Sequence, residues 1–139
     1  MSMKQFRVST ISVFLFLGLI VFSDAGVADM ASNGTFTGNF GKDNFSGTCS
    51  PCHGETGKGD GPLADSLGEG VKPRNLADAK LLSFRTDEEL FKVVKFGGPS
   101  MGFSEAMPAQ KDTFKDSEIK LIVKYLRSDI CKCKYAGKK

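Results

Sequence analysis

The stretch GTCSPCHGETGKGDGP, residues 47–62, sets Cys49 and Cys52 three apart and puts the chain's single histidine, His53, directly after the second. Positions i, i+3 and i+4 share one face of a helical turn. Cys-x-x-Cys-His is the attachment pattern of c-type haem. Two thiols on one face can reach the two vinyl groups of a porphyrin and form thioethers, and the next residue sets an imidazole beneath the iron. That accounts for a lone histidine in this place. Three other readings of the same residues stand beside it. A thioredoxin-like redox pair calls for a βαβ setting. A structural Cys49–Cys52 disulfide leaves His53 without a role. A zinc-binding module without haem needs Cys131 and Cys133 to complete four ligands.

Iron held by His53 has a sixth position, and a methionine thioether there closes the site for electron transfer and raises the reduction potential. Met107 precedes Pro108, which turns it away from helix and lets its side chain project from an extended loop. It is the first choice for distal ligand. Met101, after Gly98-Pro99-Ser100, is the alternative. Iron left open or loosely capped there would instead serve a haem sensor or weak peroxidase.

The elements that position these residues are short. Asn39 is the expected N-cap for a helix from about Gly41 to Cys52, with Phe45 as its buried anchor. From Gly54 to Gly70 the chain has six glycines and Pro62, which predicts a wrapping loop. Thr86-Asp-Glu-Glu89 has the spacing of a capping box ahead of Leu90, Phe91, Val93 and Val94, and Gly97-Gly98-Pro99 stops that helix. The last helix is expected from about Asp116 to Ser128, with Ile119, Ile122, Val123 and Leu126 on one face and lysines on the other. No segment alternates apolar and polar residues between turn signals as strands do. The expected fold class is therefore all-α: three to four short helices joined by glycine-rich loops, with few large apolar residues for a core and something else to help hold it.

Ahead of this unit, Lys4 and Arg7, an apolar run from Ile11 to Phe22 and then small residues have the layout of a secretory signal peptide. The run of 12 falls short of the roughly 20 residues that cross a bilayer. Residues 1–25 are read as the leader, with cleavage after 25 or 28, residues 36–130 as the domain, and residues 131–139 as a basic cysteine-containing tail. Removal of Lys4, Arg7 and Asp24 leaves 17 basic and 15 acidic side chains. From Lys120 onward there are seven basic residues against one acid, Asp129, without the aromatic interleaving or motif that nucleic-acid binding would want.

The segments GKDNFSGTCSPCHG, GKGDGP, KPRNL, TDEELFKVVKFGG, AMPAQ and KDSEIKLIVKYLRS stand in the order found in class I c-type cytochromes, and the chain resembles that family from about Phe40 to Arg127. The resemblance implies the cytochrome c fold wrapped around one covalently bound haem c, with Cys49 and Cys52 holding the porphyrin, His53 as proximal and Met107 as distal iron ligand. It also implies that Gly41 and Phe45 pack against Tyr125 where the first and last helices cross. A proline carbonyl, Pro73 or else Pro62, would accept a hydrogen bond from His53; Leu76 would line the haem pocket; and Arg74 would either pair with a propionate or serve as plain loop. Gln110 stands where the family often has a bulky aromatic, and the CKCKYAGKK tail lies outside its pattern. Cys131 and Cys133 are left open between pairing with each other, linking two copies and remaining free; a monomer is expected. The implied function is one-electron transport, not catalysis, between exported or membrane redox partners, in a bacterial periplasm. Lys58, Lys72, Lys95 and Lys111 are candidates to attract an acidic partner face.

Overall fold

The computed structural model describes residues 38–137. The expected leader, its cleavage points and the domain start at residue 36 lie outside them. Every regular element among the described residues is helical, as the absence of alternating segments predicts.

The chain begins with α1 (Phe40–Asn44), passes through a π-helical turn (Phe45–Cys49) and enters α2 (Ser50–His53). Asn39 caps the start, its side-chain oxygen accepting from the Lys42 amide at 3.2 Å. A loop with one 3₁₀ turn (Ala64–Ser66) leads to α3 (Ala79–Ser83), which Asp78 caps by accepting from the Leu81 amide at 3.1 Å. The capping box then opens α4 (Asp87–Phe96). The Thr86 hydroxyl accepts from the Glu89 amide at 3.1 Å, and the Glu89 carboxylate accepts from the Thr86 amide at 2.9 Å. Gly97, at φ +81°, ends it as expected. A 3₁₀ turn (Gly98–Met101) and a long loop lead to α5 (Asp116–Tyr125), which runs on through a π-helical turn (Leu126–Ile130). That takes the last helical segment two residues past the expected Ser128.

Phe45, Leu82, Ile119 and Ile122 are the largest fully buried side chains. They come from three separate helical segments, so burying them is what holds those segments together. The α1–α5 crossing depends on Gly41. A β-carbon there would fall on the Leu121 carbonyl oxygen and lie 2.9 Å from Tyr125 Cβ, and one turn on, the Phe45 and Tyr125 rings pack with centroids 5.6 Å apart. This is the crossing the resemblance implied. Gly41→Ala should therefore force the two backbones apart and cost about 1–3 kcal/mol, the usual price of overpacking. Denaturant unfolding of the matured protein measures it, and an unchanged midpoint would contradict the close approach.

Arg127 fastens the end of α5 to the turn between α3 and α4. Its Nε donates to Asp87 at 2.8 Å, Nη1 donates to the Leu82 carbonyl at 2.9 Å, and Nη2 donates to the Arg85 carbonyl. Beyond α5, Cys131 and Cys133 are bonded to each other. Of the three fates open to the tail cysteines, the structure takes the intrachain one, which leaves no tail thiol for a disulfide-linked dimer. The Ala136 amide then donates to the Ser83 carbonyl at 2.8 Å, so the tail returns to α3. No helix among the described residues is long and apolar enough to cross a membrane.

Candidate functional site

Cys49, Cys52 and His53 sit where the π-helical turn gives way to α2. A π turn spreads one extra residue over the helical circuit and often marks a functional position. Glu55 fixes this turn from outside: the Ser46 hydroxyl donates to its Oε2 at 3.1 Å, and the Ser50 hydroxyl lies 2.7 Å from its Oε1 and 2.6 Å from the Ser46 carbonyl. The following loop folds straight back, because the amides of Gly59, Gly61 and Leu63 donate to the carbonyls of His53, Cys52 and Pro51 at 2.7, 3.1 and 2.8 Å. The motif is thus held by main chain on one side and a carboxylate on the other.

His53 Nδ1 lies 3.0 Å from the carbonyl oxygen of Arg74. A carbonyl can only accept, so Nδ1 carries the hydrogen and Nε2 keeps its lone pair for a ligand. The acceptor is one residue beyond the expected Pro73, and it is not Pro62. The physical reason is the register of the loop: the Pro73 carbonyl faces Gly59, where a β-carbon would approach it to 2.5 Å, while the Leu76 amide is anchored on the Gly57 carbonyl at 2.6 Å. Burial lowers the His53 pKa, opposed by the Arg74 hydrogen bond, so the imidazole favours its neutral form. Burial first and the neighbouring Cys52 second push the Cys49 thiol up to about 12. It is no activated thiolate of the thioredoxin kind.

These three residues line a cavity of about 1140 Å³. Interiors are close-packed, and small-molecule pockets run to roughly 300–1,000 Å³, so this is a large space for so short a chain. Met101 and Met107 reach the same cavity from the loop after α4, as do Pro73, Arg74 and Leu76 from the loop before α3. Its wall is otherwise largely apolar, with Phe45, Val71, Leu82 and Leu90 among the lining residues. The space and the donors fit a c-type haem: two thiols for the vinyl groups, an imidazole with its outer nitrogen already bonded, and thioethers within the same walls.

Two residues around the site carried no sequence signal. Arg85 precedes the capping box, yet its guanidinium lies over the Phe103 ring at 5.5 Å, and that of Arg74 lies over the same ring at 4.6 Å. Glu55 lies only two residues after His53, and the serines it joins are four apart on one helix face, a pattern that points to no partner by itself. Of the four lysines expected to attract a partner, Lys95 is engaged, pairing with Asp116 at 2.7 Å; Lys58, Lys72 and Lys111 are exposed. The zinc reading loses its ligands, because Cys131 and Cys133 are bonded together and no group of three or more His, Cys, Asp or Glu among the described residues is placed to hold a metal.

A helical fold around such a cavity, with these donors, defines a protein of the c-type cytochrome kind. Residues 38–126 match the family described as cytochrome c oxidase, cbb3-type, subunit III, and the chain belongs to that family. A general electron-transfer role comes with it. Among solved structures, the KustC0563 c-type cytochrome is 27% identical, with a TM-score of 0.50 over 63% of this chain and 94% of that one. The reducing HAO-like protein complex Kustc0457/Kustc0458 of Kuenenia stuttgartiensis is 31% identical over 64% of this chain and 40% of that one, with a TM-score of 0.49. No curated protein matches the chain.

Proposed function

We propose that this protein is a monohaem class I c-type cytochrome, exported to the periplasm, that carries single electrons between redox partners and is not an enzyme. The observation that supports it is the convergence of Cys49, Cys52, His53 and Met107 on one large apolar cavity. Cys49 and Cys52 would hold one haem c by thioethers, and His53 and Met107 would be its axial ligands; Met101 is the alternative. Bound there, the haem supplies a one-electron couple. The chain's own part is to orient His53 through the Arg74 carbonyl, to exclude water with the apolar wall, and to leave no coordination position for substrate. Arg74 and Arg85 line the cavity and supply positive charge there, suited to carboxylates of the porphyrin.

Absorbance of the oxidised and reduced protein tests this reading. Narrow reduced-state bands of a covalently bound haem and a weak far-red band of sulfur on ferric iron are the expected result. Open-iron spectra with ready carbon monoxide binding would favour the haem sensor or weak peroxidase. A colourless protein would end the haem assignment. Docking through Lys58, Lys72 and Lys111 predicts an electron-transfer rate that falls as ionic strength rises.

A further inference from the structure

We propose that Cys131 and Cys133 form a thiol–disulfide exchange site, a two-electron couple apart from the large cavity. The two sulfurs are bonded across a single intervening residue. That residue, Lys132, has φ +50° and is the only non-glycine with positive φ among the described residues. A lysine held in the left-handed region is strained, and reduction of the bond frees it. A link this short also closes too small a loop to constrain the unfolded chain much, which is the usual gain from a structural disulfide. Strained and accessible disulfides are the labile ones.

The two sulfurs differ in the way exchange requires. Cys131 is buried, at 5% exposure, and its Sγ lies 3.8 Å from the Arg127 carbonyl and 4.0 Å from that of Cys133. Carbonyl oxygens favour a protonated thiol. Cys133 is half-buried, and Arg127 Nη1 stands 3.5 Å from its Sγ; a guanidinium at that place favours a thiolate. Lys132 and Lys134 beside it are exposed. Cys133 is therefore the exchanging sulfur and Cys131 the resolving one.

The partner is a dithiol. One thiolate of the dithiol attacks Cys133 Sγ and makes a mixed disulfide; the Cys131–Cys133 bond breaks, and Cys131 takes the electron pair and a proton. The second thiol of the partner attacks its own sulfur in the mixed disulfide, and Cys133 leaves as a thiolate beside Arg127. In sum, two electrons and one proton pass to the cysteines, Cys131 ending as a thiol and Cys133 as a thiolate, and the partner leaves as a disulfide. The reverse sequence reduces a partner disulfide to its dithiol and restores the Cys131–Cys133 bond.

Native, haem-loaded protein is equilibrated in glutathione buffers and, separately, in dithiothreitol buffers, then quenched with an alkylating mass tag. The expected result is full reduction of the tail pair by millimolar glutathione without denaturant. A pair that resists until the protein is unfolded would overturn the proposal, as would tail thiols already free in air-oxidised protein. With oxidised glutathione, Cys131→Ser should trap a mixed disulfide on Cys133 at least tenfold faster than Cys133→Ser traps one on Cys131; equal rates would overturn the assignment of roles. Should a variant fold poorly, the wild-type titration still decides the exchange itself. Peptide mapping separates tags on Cys131 and Cys133 from any on Cys49 and Cys52, so the outcome does not depend on the proposed haem.

Discussion

The Cys49→Ala, Cys52→Ala double variant, expressed beside the parent in a host with haem-maturation machinery, is expected to show no haem stain on a denaturing gel, and its haem-free chain is expected to unfold without a cooperative transition. The first outcome follows from the proposed thioethers, since only a covalent link keeps a porphyrin on a denatured chain. The second follows from the cavity. Small core voids cost about 24 cal/mol per Å³; at that rate about 1140 Å³ would cost on the order of 25 kcal/mol. This is an upper bound, since the space opens to solvent, yet it exceeds the roughly 5–15 kcal/mol of net stability that domains possess. Few side chains are fully buried, so the helices have little else to pack on. A retained stain would overturn the attachment sites. A sharp transition near the parent's midpoint would show that the walls close without a filler.

Met107→Ala is expected to let the reduced protein bind carbon monoxide at neutral pH, to abolish the far-red band and to lower the potential by about 0.1 V or more, within the roughly 0.8 V that axial ligation spans. Met101→Ala should leave all three readouts near the parent's. The chain around the two methionines supports this order. The Met107 carbonyl accepts from the Gly98 amide at 2.9 Å, and the Met107 amide donates to the Ser104 carbonyl at 3.3 Å, so its backbone is held on both sides. Met101 closes a 3₁₀ turn that ends at Gly102. Effects confined to Met101→Ala would reverse the assignment.

What could be read from the sequence was local. Asn39 and Thr86 announce their helices because a cap satisfies amides three residues away. Cys49, Cys52 and His53 could be grouped from their spacing because a single turn brings them together. The Gly41–Tyr125 crossing, a long-range expectation the structure matches, came from the family resemblance and not from spacing. What stayed hidden depended on distant partners. The five-residue α3 is too short to show a period, and its start rests on the Asp78 cap. The His53 acceptor moved from Pro73 to Arg74 because hydrogen bonds from Leu76 back to Gly57 set the loop's register. The tail pairing turned on a left-handed Lys132, a conformation that lysine does not advertise. The reach of Arg127 to Asp87 and to the Leu82 carbonyl joins residues some forty positions apart.

The end of α4 has a consequence for motion. The Gly98 amide donates to Met107, and further along the Gln110 and Lys111 amides donate to the Val94 and Lys95 carbonyls at 3.1 and 3.0 Å. A β-carbon on Gly98 would strike the Ser104 carbonyl oxygen and come within 3.3 Å of Met107 Cβ. The loop carrying the methionine is thus zipped to the last turn of a helix along its return path. It cannot swing aside as a free flap; it leaves only when that turn frays with it, as one cooperative unit.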